Sequence, residues 1–190
     1  MSYRQRQVKN MSVGNIPDQM NNGAKDDRSF ERIYAEYVRP VYYAAYAVLK
    51  HREDAEDVAH DVFLTWLGME DAGQIRNIKD YLLRMAHNKA LNLIRKRSRE
   101  ELTAEPEEAE GGYDPQPQAE DDGELTGQVE RAMLALPLEE RQAFFLHVKA
   151  GLGFAEVARV MDMSLPSVYR RYKKAVGRLK ESLKEVGIYG

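Results

Sequence analysis

Two asparagines one helical turn apart, Asn88 and Asn92, sit in "YLLRMAHNKALNLIRKR". On a helix they share a face with Tyr81, Arg84, Arg95 and Arg99, at spacings of 3, 4, 4, 3 and 4. Arginine pairs with guanine and phosphate, asparagine with adenine edges, and tyrosine stacks on an unpaired base. An asparagine is also an ordinary surface residue, so this stripe alone leaves both readings open.

A second set lies near the end, in "DMSLPSVYRRYKKAVGRL", where Arg170, Arg171, Lys173, Lys174 and Arg178 fall within nine residues. On a helical wheel Val168, Tyr172, Ala175, Val176, Leu179 and Leu183 point one way. Ser167, Arg171, Lys174 and Arg178 form an outer stripe with Arg170 and Lys173 beside it. A merely soluble face mixes signs, whereas residues 166–184 hold seven bases and one acid. A membrane-surface helix needs a free apolar face, and this one needs that face for packing. Contact with DNA is favoured over both the solvated face and the membrane surface, given the turn in front of the helix.

A third set is acidic. Asp54, Asp57, His60 and Asp61 surround Leu64 on the helical face away from the core, a pattern suited to docking a basic partner. No His or Cys stands at metal spacing from His60, so no metal site is expected. No paired catalytic carboxylates, nucleophile–base set or Gly-rich phosphate loop occurs, so no enzyme and no cofactor are expected either. Cysteine is absent, which rules out disulfides and thiolate metal sites and fits a reducing cytoplasm. The polar N-terminus carries no apolar segment of the signal-peptide kind.

These faces need helices to carry them. Apolar residues recur at helical spacing from Phe30 to Leu49, with Pro40 expected to kink or break the run. Ala55–Trp66 marks a second helix and about 79–99 a third, with residues 68–78 as a loop. Helical pattern resumes at Val129–Leu136, stops at Pro137, and continues through 141–149, 154–161 and 165–185. A three-residue turn, Asp162-Met163-Ser164, separates the last two, which are the dimensions of a helix-turn-helix. Ser164 suits the N-cap, Pro166 suits the first turn, and Asp162 tolerates a left-handed backbone.

The net charge of −3 hides strong segregation, since residues 100–124 hold eleven acids and no base. No strand pattern is present. The expected architecture is all-α, with two small helical domains joined by a flexible acidic linker. The boundaries are a disordered tail over 1–28, a first domain over 29–99, the linker over 100–126 and a second domain over 127–190.

Two stretches carry a family resemblance. Residues 30–67 with "YLLRMAHNKALNLIRKR" resemble the second conserved region of bacterial sigma factors, and residues 129–179 resemble the fourth. With only these regions and a short tether, the chain resembles the extracytoplasmic-function (ECF, group 4) branch of the sigma-70 family. The resemblance implies a factor that binds core RNA polymerase through its β′ and β subunits and recognises promoter DNA. Asp54, Asp57, His60, Asp61 and Leu64 then match the segment that holds core polymerase. Asn77, Tyr81, Arg84, Asn88, Asn92 and Arg95 match the part that opens the −10 element. Ser167, Arg170, Arg171, Lys174 and Arg178 match the −35 recognition helix. The resemblance further implies a cytoplasmic protein silenced by an anti-sigma factor, in many such proteins a membrane-anchored one, with no direct membrane insertion by the chain itself. Asp162 stands where the family usually has glycine, His60 where it more often has glutamine, and Tyr169 and Tyr172 where Lys and Leu are common. The competing reading is a free-standing helix-turn-helix transcription regulator, which leaves the acidic face and the Asn/Arg stripe unexplained.

Overall fold

The protein is described by a computed structural model covering residues 29–70, 72–103, 124–185 and 187. The expected tail (1–28) and most of the expected linker (104–123) lie outside the described residues. Among the described residues there are seven α-helices and no strand.

The first unit is built from α1 (Phe30–Leu49), α2 (Arg52–Leu67) and α3 (Ile78–Thr103). Phe30 and Tyr34 lay their rings against Phe63 and Trp66 of α2, with Phe30 stacked on Trp66 at 6.1 Å. Leu82, Leu83, Ala86 and Ala90 of α3 are fully buried against the other two helices. α1 ends where Lys50 turns left-handed (φ 59°) and donates its N–H to the Tyr46 carbonyl. His51 then caps α2, its Nδ1 accepting the Asp54 N–H. α1 runs unbroken through Pro40, so of the expected kink or break the break does not occur. The carbonyl that Pro40 deprives of a partner belongs to Glu36, an exposed residue where water can serve it.

The second unit holds α4 (Glu124–Ala135), α5 (Leu138–Phe144), a π-helical turn (Phe145–Lys149), α6 (Phe154–Met161) and α7 (Leu165–Glu185). Pro137 stands at the N-cap of α5. The helices flanking the acidic segment run to Thr103 (α3) and from Glu124 (α4).

The two units do not stand apart on their tether. They meet along a seam between the end of α1 and α5 with its π turn. The reason is visible in α1. Ala44, Ala45, Ala47, Val48 and Leu49 are all buried, so its last turns are apolar on every side and need cover beyond one three-helix core. Arg141 completes the seam. Its Nε donates to the Ala47 carbonyl at 2.7 Å and its Nη2 to that of Val48 at 3.3 Å. Its Nη1 donates to Leu136 at 2.8 Å and Leu134 at 3.3 Å, so one cation serves the C-terminal ends of both α1 and α4. Burial draws its guanidinium down to about 10.

Polar contacts edge the seam. Glu130 of α4 accepts from the Tyr46 hydroxyl at 2.8 Å and from Arg52 at 3.0 Å. Burial first, then that carboxylate, pushes the Tyr46 phenol far above its usual range. At the opposite end Lys79 pairs with Glu156 at 2.8 Å, and Arg159 with Asp80. The Lys79 hydrogen bond holds the Glu156 carboxyl below the usual carboxylate range.

Candidate nucleic-acid and protein interfaces

The acidic face of α2 divides in two. Asp57, His60, Asp61 and Leu64 point to solvent, with Leu64 at 53% exposure. Their i, i+3, i+4, i+7 spacing makes one continuous strip. Asp54 is not on it. Its carboxylate turns inward to a bidentate pair with Arg97 of α3, at 2.7 and 2.8 Å. The expectation that Asp54 faces away from the core is therefore corrected, because a basic residue near the end of α3 passes directly beside it. Asp61 keeps a loose contact with Lys89 at 3.8 Å.

On α3, Asn77, Tyr81, Arg84, Asn88 and Asn92 line one open groove of about 570 Å³. Asn77 also caps α3, its Oδ1 accepting the Asp80 N–H at 3.0 Å. The Tyr81 hydroxyl reaches the Met69 sulfur at 3.2 Å, which fixes the ring at the rim. Arg95 is exposed one turn beyond the groove and does not line it. Ile75 lies in the loop 74–78 that the family resemblance also assigns to this part, whereas the sequence does not single out the other lining residues, Asp80, Met85 and Lys89. Met85 falls at an inward position of the wheel, and an acid such as Asp80 carries no nucleic-acid signal. The groove has aromatic, amide and cationic walls, chemistry suited to an unpaired base with its phosphates.

Behind the groove His87 is buried, beside Gln142 of α5 and Asn88. Neither ring nitrogen reaches hydrogen-bond geometry, so desolvation dominates and lowers its pKa.

The helix-turn-helix comprises α6 and α7. Asp162 takes the left-handed conformation (φ 52°, ψ 50°) and donates its N–H to the Ala158 carbonyl. Ser164 precedes α7, but its hydroxyl donates to Ser167 Oγ at 2.9 Å instead of capping a backbone N–H. Val168, Ala175 and Leu179 are buried as the wheel requires. The outer stripe is less uniform than the wheel implies. Arg171 pairs with Glu139 at 2.6 Å, and Arg178 pairs with Glu140 at 2.9 Å. Both acids lie in the first turn of α5, so these two cations fasten α7 to α5 in the free protein. Arg170, Lys173 and Lys174 are exposed and without an acidic partner among the described residues, while Ser167 is half-buried.

Fold and faces together define an all-helical protein that ends in a helix-turn-helix. Residues 33–100 match the family model described as Sigma-70 region 2, and residues 126–179 that described as Sigma-70, region 4. The ferric citrate uptake sigma factor FecI of Escherichia coli is 32% identical over 126 residues, covering 65% of this chain and 72% of that protein. The ECF RNA polymerase sigma factor SigE of Mycolicibacterium smegmatis is 27% identical over 158 residues, covering 82% of this chain; the chain spans 62% of that relative's length. In structure the chain is similar to the sigma factor RpoE of Bartonella quintana, solved in complex with the anti-sigma factor NepR. The TM-score is 0.65 at 21% identity, over 82% of this chain and 96% of that one. The chain belongs to the sigma-70 family, in its extracytoplasmic-function branch.

Proposed function

We propose that this chain is a promoter-specificity subunit. It binds core RNA polymerase, recognises −35 and −10 promoter elements, and promotes strand opening for initiation. The observation that carries this reading is the presence of three separate faces in family order: the Asp57–Leu64 strip, the α3 groove and the helix-turn-helix.

Each face has a physical task. The acidic strip steers a basic surface of the β′ subunit, and Leu64 supplies the apolar centre. Asp54 contributes by holding α3 to α2 through Arg97. The α3 groove with Arg95 beyond it offers binding energy only to an unstacked −10 strand, which offsets a few kcal/mol of unstacking. α7 enters the −35 major groove, where Arg170 and Lys174 meet phosphates and base edges. Arg171 and Arg178 join them by exchanging Glu139 and Glu140 for phosphate.

The chain performs no bond chemistry in this account; core polymerase does. Among the described residues no helix is long and apolar enough to cross a membrane. We place the protein in the cytoplasm, under an anti-sigma factor such as the one that RpoE of Bartonella quintana binds. Co-purification with core polymerase, followed by footprinting on a promoter selected by the complex, tests the assignment. Protection at two elements joined by an open segment is the expected result.

A further inference from the structure

We propose that Leu165, Pro166 and Tyr169 form an apolar tip on α7 that reads thymine C5-methyl groups in the −35 major groove. This rests on the reading of α7 as a DNA-recognition helix.

The packing of α7 is already supplied by Val168, Ala175 and Leu179, all buried. Leu165 and Tyr169 are left over, at 49% and 50% exposure, and Pro166 is exposed between them. One exposed apolar residue needs no explanation. Here three fall within the first two turns at i, i+1 and i+4, spanning about 100° around the helix. That is the part of a recognition helix that meets base edges.

Tyr169 is also braced. Its ring meets Phe154 edge-on at 5.5 Å, and Phe154 stacks on His147 at 4.1 Å. The His147 Nδ1 in turn lies 2.7 Å from the Leu152 carbonyl. The ring is thereby held before any ligand arrives, which suits shape-selective contact. Arg170 stands one turn on from Pro166 and Lys173 one turn on from Tyr169, both exposed and without acidic partners among the described residues, which suits a polyanionic occupant. Duplex DNA is the polyanion that also displays methyl groups, and in its major groove only thymine carries one.

The test uses the full chain assembled with core polymerase. A −35 element is selected from randomised duplex, and each thymine is then replaced by deoxyuridine, which lacks only the methyl. At one or two positions binding should weaken about fourfold, the effect of withdrawing one methyl-sized group from an apolar contact. Leu165→Ala or Tyr169→Ala should abolish that dT/dU difference and leave the salt slope unchanged. Selection of a −35 element in which every deoxyuridine is tolerated overturns the proposal. So does loss of core-polymerase binding in these variants with dT/dU discrimination intact, since the tip would then face protein. Failure to select any −35 element counts against the underlying assignment of α7 instead.

Discussion

The Nε of Arg141 donates to the carbonyl of Ala47 at 2.7 Å, across 94 residues of chain. That bond joins the two sigma regions where α1 ends and α5 begins. Arg141 is only 4% exposed, and its donors meet four backbone carbonyls, so removing it strands buried acceptors on both sides of the seam.

Arg141→Ala should therefore lower unfolding stability by about 3 kcal/mol in urea titration, in the range for losing a buried charged hydrogen-bonding group. Arg141→Lys keeps the charge but not the planar fork and should recover only part of the loss. Wild-type stability in the alanine variant would mean that the seam does not hold the folded protein together.

His87 gives a pH dependence with a definite sign. Its folded pKa lies below the ordinary 6.5, chiefly through desolvation. The unfolded chain thus takes up a proton that the folded one refuses. Its contribution to stability should fall as pH drops through about 6.5 and level off below the folded pKa, with a limiting slope of about 1.4 kcal/mol per pH unit. His87→Leu should flatten that part of the stability–pH curve relative to wild type.

Asp54 separates from its neighbours by experiment. Asp57→Lys with Asp61→Lys should abolish association with core polymerase while changing stability by less than about 0.5 kcal/mol, since both carboxylates are exposed. Asp54→Asn should instead cost about 1–2 kcal/mol, because it releases Arg97 from a largely buried pair. Pull-down with core polymerase and thermal melts, run on the same variants, read the two effects.

On the −35 side, Arg170→Ala and Lys174→Ala should each reduce the slope of log K against log salt by about 1. Arg171→Ala and Arg178→Ala should also loosen the contact of α7 with α5, since each cation holds an α5 carboxylate. A lower melting temperature in the absence of DNA would show this for the arginine pair and not for Arg170 or Lys174.

Local rules made much of this legible in the sequence. Helical period placed the helices, and Asp162 has the left-handed turn that its side chain tolerates. Five of the six residues chosen on the α3 side line one groove, because residues three and four apart share a face whatever packs behind them. What escaped depends on neighbours distant in sequence. Asp54 looked outward until Arg97 was placed beside it, and Arg171 looked free until Glu139 was. Pro40 breaks a helix by local rules, yet its turn continues because the stranded carbonyl lies at an exposed residue. The seam left its trace as the all-round apolar end of α1, a signal without a direction until Arg141 supplied one.

Run-off transcription with purified core polymerase tests the central claim most directly. Core polymerase alone should give no specific transcript from a promoter selected by the complex, and adding this chain should produce one. That transcript should depend on both elements and disappear with Asp57→Lys/Asp61→Lys. Tight DNA binding by the chain alone, with no transcript from the reconstituted enzyme, would contradict the account and identify a free-standing regulator.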